Sequence, residues 1–398
     1  MPSKTYPTAA APLSGTKLFK PLQIGLLNLE HRVVMAPLTR MRASKESEGV
    51  FVPNDLNKQY YEQRASKGGL QLSEACPISR LAAGYPGVPG IFTTTQIAGW
   101  KKVTDAVHAK GGYIFCQLWH VGRATTPGLL GGSPPLSASS IPLEGNALDG
   151  TKYAHAPPTE MTVEDVEKVT AEFAAAAVRA LEAGFDGVEI HGANGYLLDQ
   201  FLHDNTNIRI DTYGGCIENR CKFPLQVINA VTAAIGAEKV GIRLSPYNYF
   251  QDTKDSNPNE NWAYLCEKIA TLPKDRRPVY VHMIEPRFDE VLDESAKIAS
   301  LASTGTKQAK YSLVPFREIL RKGDIKFIAA GNFSSDNTAP KLDADEADAI
   351  VFGRHFIANP DLPLRLAEGL PLNKYDRDTF YGADPAEKGY TDYPVYPS

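Results

Sequence analysis

His191, Asn194 and Tyr196 fall within six residues of one another. An imidazole and a carboxamide supply two hydrogen-bond donors, and a phenol with its ordinary pKa of about 10 keeps its proton at neutral pH. Such a trio suits polarising a carbonyl oxygen and delivering a proton nearby. Two glycine-led pairs, Gly331-Asn332 and Gly353-Arg354, let an anion approach backbone N–H groups, and Arg354 adds a guanidinium capable of a bidentate contact. Arg243, at the end of an apolar run, is either a ligand-facing cation or half of a structural ion pair. No metal is expected: there is no His-Glu-x-x-His and no Cys-x-x-Cys, and Cys216 with Cys221 has no histidine at ligand spacing. A Gly-x-Ser-x-Gly elbow, a Gly-x-x-x-x-Gly-Lys loop and a dinucleotide fingerprint are also missing from the sequence. A nicotinamide cofactor, if one takes part, need not be held by a Rossmann domain.

These groups need a frame. Eight short runs of β-branched and apolar residues, at 32–36, 69–76, 113–118, 187–191, 240–244, 278–283, 326–330 and 349–353, read as strands of a parallel sheet covered on both faces. Helical patterns separate them. Over 162–183, Val163, Val166, Val169, Phe173, Ala177 and Leu181 recur on one face, Thr162 and Asp165 occupy capping positions, and Gly184 ends the run. Trp100, Val103 and Val107 mark a helix ending at Gly111, Val227, Ile228, Val231 and Ile235 one ending at Gly236, and Trp262, Leu265, Cys266 and Ile269 another. Further helices are expected over 57–67, 315–322 and 360–368, the last with Asn359 as cap and Pro360 at its first position. The segment 336–346, with Pro340 inside, carries the weakest pattern.

This alternation, with no break in composition, predicts an α/β chain forming a single (β/α)8 TIM barrel over 17–398 after a flexible N-terminal tail, 1–16. Two long segments, 119–161 and 284–314, follow strands and therefore lie over the C-terminal face. Barrels keep their chemistry at strand ends. The residues there are Pro37 and Thr39, Glu74 and Ala75, Gln117, His191 and Asn194, Arg243, Gly331 and Asn332, and Gly353 and Arg354. The last two pairs follow strands seven and eight, where barrels bind phosphate, so a phosphorylated ligand is implied.

The chain's 398 residues, 43% hydrophobic and 22% charged, describe a soluble globular protein, not a disordered or collagenous one. Its net charge of -4 and pI near 6.1 provide no general attraction for nucleic acid or an anionic membrane, which leaves small molecules as the expected partners. No run of 18 apolar residues occurs, and the first sixteen residues lack the order of a signal peptide, so a cytoplasmic location is expected. Five scattered cysteines are an odd, sparse set, consistent with reduced thiols.

Taken together, Met35-Ala-Pro-Leu-Thr-Arg40, Phe115-Cys-Gln-Leu-Trp-His120, the run from Gly187 to Phe201, Tyr213-Gly-Gly-Cys-Ile-Glu-Asn-Arg220, Gly241-Ile-Arg-Leu-Ser-Pro246, the run from Phe352 to Leu362 and the run from Asn373 to Tyr381 resemble the old yellow enzyme family. The similarity extends from about Leu18 to Pro394 and thins between Tyr249 and Lys326. It implies an FMN-dependent ene-reductase on a (β/α)8 barrel, with NADPH as co-substrate and α,β-unsaturated aldehydes and ketones as oxidants in a ping-pong cycle. By position, Pro37, Thr39, Ala75 and Gln117 match flavin-ring contacts, Arg243 the cation near N1 and the C2 carbonyl, and Gly331, Asn332, Gly353 and Arg354 the phosphate contacts. His191 and Asn194 match the pair that holds the substrate carbonyl, and Tyr196 matches the proton donor to the α-carbon after hydride reaches the β-carbon. Phenols are the implied inhibitors. Tyr381 matches an aromatic near the ligand cavity, Phe288 is a candidate for its rim, and Trp119 either shapes the substrate pocket or belongs to the core.

Asn194 in place of a second histidine resembles fungal and yeast members more than plant 12-oxophytodienoate reductases. Ala75 stands where many members carry glycine, which puts the local backbone angle in question. Three other readings are an ergot-alkaloid-type enal reductase or isomerase, a flavin-bound ligand-binding or redox-sensing protein without turnover, and an FMN hydroxyacid oxidase. The intact donor trio weighs against the first two, and no base with a carboxylate-binding arginine pair is recognisable for the third.

Overall fold

Near-continuous apolar runs favour strands buried on both faces, and in the computed structural model, which describes residues 10–288 and 311–397, they close into a barrel. Its strands are β1 (Val33–Met35), β2 (Leu70–Pro77), β3 (Tyr113–Trp119), β4 (Gly187–Gly192), β5 (Val240–Leu244), β6 (Tyr280–Ile284), β7 (Lys326–Ala330) and β8 (Ala349–Phe352). Each pairs in parallel with its neighbours in sequence, and β8 returns to β1, as expected for a (β/α)8 barrel. Around it run α1 (Asp55–Arg64), α2 (Thr94–Ala109), α3 (Val163–Glu182), α4 (Ile217–Ile235), α5 (Pro258–Thr271), α6 (Val314–Lys322), α7 (Ser335–Asp343) and α8 (Leu362–Glu368). The Thr162–Asp165 pair forms a capping box on α3, and Gly184 follows its end with a φ of 86°. Another capping box, Ser334 with Asn337, opens α7 despite Pro340 inside it.

Local signals misplaced two helix starts: the helix anticipated over 57–67 runs Asp55–Arg64, because the Asn54 side chain caps it by accepting from the Leu56 and Asn57 N–H groups. The helix anticipated over 360–368 begins at Leu362 behind Asp361, because the Asn359 side chain donates to the His355 and Asn373 carbonyls and accepts from the Asn373 N–H. Its capping capacity is spent on the C-terminal segment. Part of the segment expected to be a flexible tail is held in place. Ala10, Leu13 and Ser14 donate backbone N–H groups to Gly369, Leu366 and Ala367, and Leu13 is buried against the core. Residues 1–9 of that tail lie outside the described residues.

One end of the barrel is plugged by an unanticipated hairpin, Leu22–Ile24 against Leu27–Leu29. Its Ile24, Leu27 and Leu29 pack on Val34, Leu72, Phe115, Ile328 and Val351 inside the barrel. The opposite end, where the strands finish, receives the loops. Within 119–161, Val121, Ala124 and Leu143 pack with Ala75, Val88 and Trp119. Of the other long segment, 289–310 lies outside the described residues. No helix among the described residues is long and apolar enough to cross a membrane.

Candidate active site

A cavity of about 460 Å³ opens at the strand ends. Pro37, Thr39, Ala75, Gln117, His191, Asn194, Tyr196, Arg243, Gly331, Asn332, Gly353, Arg354 and Tyr381 all line it, with Phe288 beside them. The barrel thus brings together groups separated by more than three hundred positions in sequence. Trp119 is not in the wall. It is buried behind Tyr196, ring to ring at 5.1 Å and 89°, and joins the cluster around Val121. Ala75 has a negative φ, so its Cβ causes no strain. The β2–β3 register shifts between Leu72 and Ala75, and that irregularity turns the chain toward the cavity.

The donor trio is shaped by the turn after β4. Asn194 and Gly195 have φ values of 58° and 74°, conformations open to asparagine and glycine, and the turn is held by Gly195 N–H donating to Asp199 and Gln200 Nε2 donating to Gly195 O. Those last two residues belong to a short helix, Leu197–Leu202, that Tyr196 opens. Amide orientation follows from a chain of bonds. Phe250 N–H donates to Asn248 Oδ1, so Asn248 turns its Nδ2 to Asn194 Oδ1 at 2.9 Å, and Asn194 presents its NH2 to the cavity it lines. Burial, with the charge of Arg243 adding to it, pushes the His191 pKa well below the usual histidine range. The imidazole is therefore neutral at pH 7 and offers one N–H. Tyr196 stands edge-on to His191 at 5.1 Å, with its hydroxyl 3.5 Å from that of Tyr85.

Across the cavity, β7 and β8 end in the glycine pairs. Gly331 has a φ of 117°, and a Cβ there would lie 2.9 Å from Glu285 Cβ and 3.1 Å from Glu285 N. At Gly353, which opens the short helix Arg354–Ala358, a Cβ would meet protein no closer than 3.6 Å. The protein does not need that space; the cavity takes it. Arg354 lies over the Phe288 ring, its guanidinium carbon 5.1 Å from the centroid.

The sequence profile of the NADH:flavin oxidoreductase / NADH oxidase family matches residues 17–373. Flavin oxidoreductase hxnT of Emericella nidulans is 68% identical over 377 residues, covering 95% of this chain and 97% of that protein. 12-Oxophytodienoate reductase 2 of Arabidopsis thaliana is 43% identical over 382 residues, 95% of each chain. The structure of an old yellow enzyme homologue from Zymomonas mobilis superposes with a TM-score of 0.83 at 37% identity, covering 96% of this chain and all of that one. The chain belongs to the old yellow enzyme family. It is accordingly a flavin oxidoreductase of the FMN-dependent ene-reductase family, with a nicotinamide co-substrate.

The residues present fit an FMN of that family. The cavity joins the unfilled space beside Gly353 and the adjoining Arg354 to a section bearing Gln117 and Arg243, polar groups suited to a ring's pyrimidine edge. Sequence reasoning missed several wall residues. Tyr85 and Met41 line the cavity from loops, and Phe250 and Arg377 from short 3-10 turns, where neither strand ends nor periodicity mark them. Tyr85 alone had a usable signal, an aromatic in the Gly84-Tyr-Pro-Gly87 turn shortly after β2.

Glu74, next to Ala75, is fully buried, with Oε2 accepting a long 3.4 Å bond from Arg40 N–H. Burial raises its pKa from 4.5 to about 7, opposed by that bond, by the charges of Arg40 and Arg42, and by Tyr61. The native state therefore binds a proton that the unfolded state releases between pH 4.5 and 7, and stability falls as pH rises through that window. Glu74→Gln removes this contribution. It is expected to gain about 1–3 kcal/mol relative to the parent on going from pH 4.5 to pH 8. Urea unfolding at the two pH values measures it, and a difference between variant and parent that does not change with pH would refute the raised pKa.

Proposed function

We propose that this protein is an NADPH-dependent ene-reductase that reduces the C=C bond of α,β-unsaturated aldehydes and ketones, with residues 17–398 acting as one FMN-binding domain. One observation carries the reading: a two-donor carbonyl grip and a phenol share a cavity with the Gln117, Arg243 and glycine-arginine groups. In this reading Pro37, Thr39, Ala75, Gln117 and Arg243 contact the flavin ring, and Gly331, Asn332, Gly353 and Arg354 its phosphate. Bound FMN supplies the hydride that passes from the nicotinamide to the β-carbon of the substrate. Asn194 NH2 and the His191 N–H donate to the substrate carbonyl oxygen, withdraw electrons from the double bond and stabilise the negative charge that grows on that oxygen. Tyr196 gives its hydroxyl proton to the α-carbon, and the saturated carbonyl leaves with one hydride and one proton added. Tyr381, 65% exposed, is placed to meet substrate at the mouth, while Trp119 acts indirectly by fixing the Tyr196 ring. Phenols bind as inhibitors through the same two donors.

The test is the visible spectrum of the purified protein under anaerobic conditions. A flavin band is expected to bleach with NADPH and to return with cyclohexenone. Bleaching without recovery would turn the reading toward an isomerase or a narrow substrate range, and protein that neither carries nor takes up FMN would overturn it.

A further inference from the structure

Below the cavity wall lies a buried carboxylate with no part in the chemistry above. Glu189, in the middle of β4, is fully buried inside the barrel. Its Oε1 accepts from Gln117 Nε2 at 2.7 Å, and its Oε2 accepts from Tyr280 OH at 3.1 Å and from His282 Nδ1 at 2.9 Å. Three strands, β3, β4 and β6, converge on one side chain. The intervening β5 permits this, because the residue in register with both Glu189 and Tyr280 is Gly241, whose Cβ would lie 2.2 Å from Tyr280 Cζ. Glycine there gives the phenol ring the room it needs to reach across. Glu189 does not line the cavity, whereas Gln117 and Arg243 do.

We infer that Glu189 is a positioning residue for the ring-binding section of the cavity: it holds the Gln117 amide with its carbonyl toward the ligand, and its charge, set against Arg243, keeps the reduction potential of the bound flavin low. The inference rests on the reading that Gln117 and Arg243 meet the flavin ring. Burial by itself raises a carboxyl pKa, but here His282, Arg243 and Gln117 together hold Glu189 below the ordinary range. Burial lowers the His282 pKa, which leaves a neutral imidazole donating from Nδ1. An ionised carboxylate can only accept hydrogen bonds, so Gln117 must turn its NH2 to Glu189 and keep Oε1 for the cavity. An acceptor at that position selects an N–H on the ligand, as the imide edge of a flavin provides. The charge argument is independent. Reduction places negative charge on the ring beside Arg243, and a second anion in the same low-dielectric layer opposes it.

Glu189→Gln keeps the volume, removes the charge and lets the Gln117 amide turn either way. Its FMN dissociation constant, from titration of the apoprotein, is expected to rise about tenfold, the scale of one hydrogen bond to a charged group. Its midpoint potential, measured by dye equilibration, is expected to rise by about 30 mV, equivalent to a tenfold shift in preference toward reduced flavin in a two-electron couple. Glu189→Asp keeps the charge but withdraws the carboxylate from Gln117, so binding should weaken while the potential stays near the parent value. A folded Glu189→Gln with parental affinity, or with an unchanged or lowered potential, overturns the inference. If that variant does not fold, parental FMN affinity in Glu189→Asp overturns it. If neither folds, Tyr280→Phe, which deletes one donor to the anion, should lower the potential, and a rise overturns it. Gln117→Ala separates the levels: parental FMN affinity there removes Gln117 as a ring contact and the inference with it, whereas weakened binding there beside parental Glu189 variants sinks the inference alone.

Discussion

Replacing Tyr196 with Phe is expected to slow re-oxidation of the reduced protein by cyclohexenone about 10²- to 10⁴-fold, the range of a positioned general acid, and to leave reduction by NADPH unchanged. The substitution is local. The ring still packs on Trp119 and His191, while the 3.5 Å approach to the Tyr85 hydroxyl is lost. Affinity for phenols should persist, because His191 and Asn194 remain in place. Stopped-flow absorbance of the flavin band separates the two half-reactions. An enone rate equal to that of the parent would take the proton transfer away from Tyr196 and point to the Tyr85 hydroxyl, which lines the same cavity.

The largest expected effect on stability belongs to Arg64, at the end of α1. Its guanidinium is buried and donates to four backbone carbonyls, Tyr60, Phe356, Ile357 and Tyr390, at 2.7–3.1 Å, while stacking over the Tyr60 ring at 3.7 Å. Burial lowers its pKa to about 10, still well above neutrality, so the side chain stays charged. Arg64→Met fills much of the volume but strands those carbonyls. Losing the buried charge relieves some desolvation, yet four acceptors lose a charged donor, and the balance is a loss of about 3–5 kcal/mol. Phe356 and Ile357 belong to the helix that follows Gly353, so FMN retention should fall with stability. Lysine cannot reproduce the fork and should recover less than half of the loss. Equilibrium unfolding in urea tests this, and a change below about 1 kcal/mol would show that water or neighbouring groups replace Arg64.

The barrel was legible in the chain because each part of its pattern is local. Buried parallel strands read as apolar runs, Thr162 and Asp165 announce α3, and the strand-end positions follow once the strands are placed. Barrel geometry then required Gln117, His191, Arg243 and Arg354 to share one rim. Signals failed where a side chain had a distant use. Asn359 looks like a cap but ties down the C-terminal segment, and residues 10–16 look like a tail but pair with the end of α8. Trp119, adjacent in sequence to the candidate site, backs the wall instead of forming it.

Residue type and spacing by themselves determined which groups are available for chemistry and which strand carries each one. Tertiary structure decided which way they face. The amide of Asn194 is turned by Asn248, and that of Gln117 by Glu189, across 54 and 72 positions of chain. A carboxamide is donor and acceptor at once, so its role is set by the group bonded behind it, and the packing of neighbouring strands and of the turns that follow them brings that group within reach.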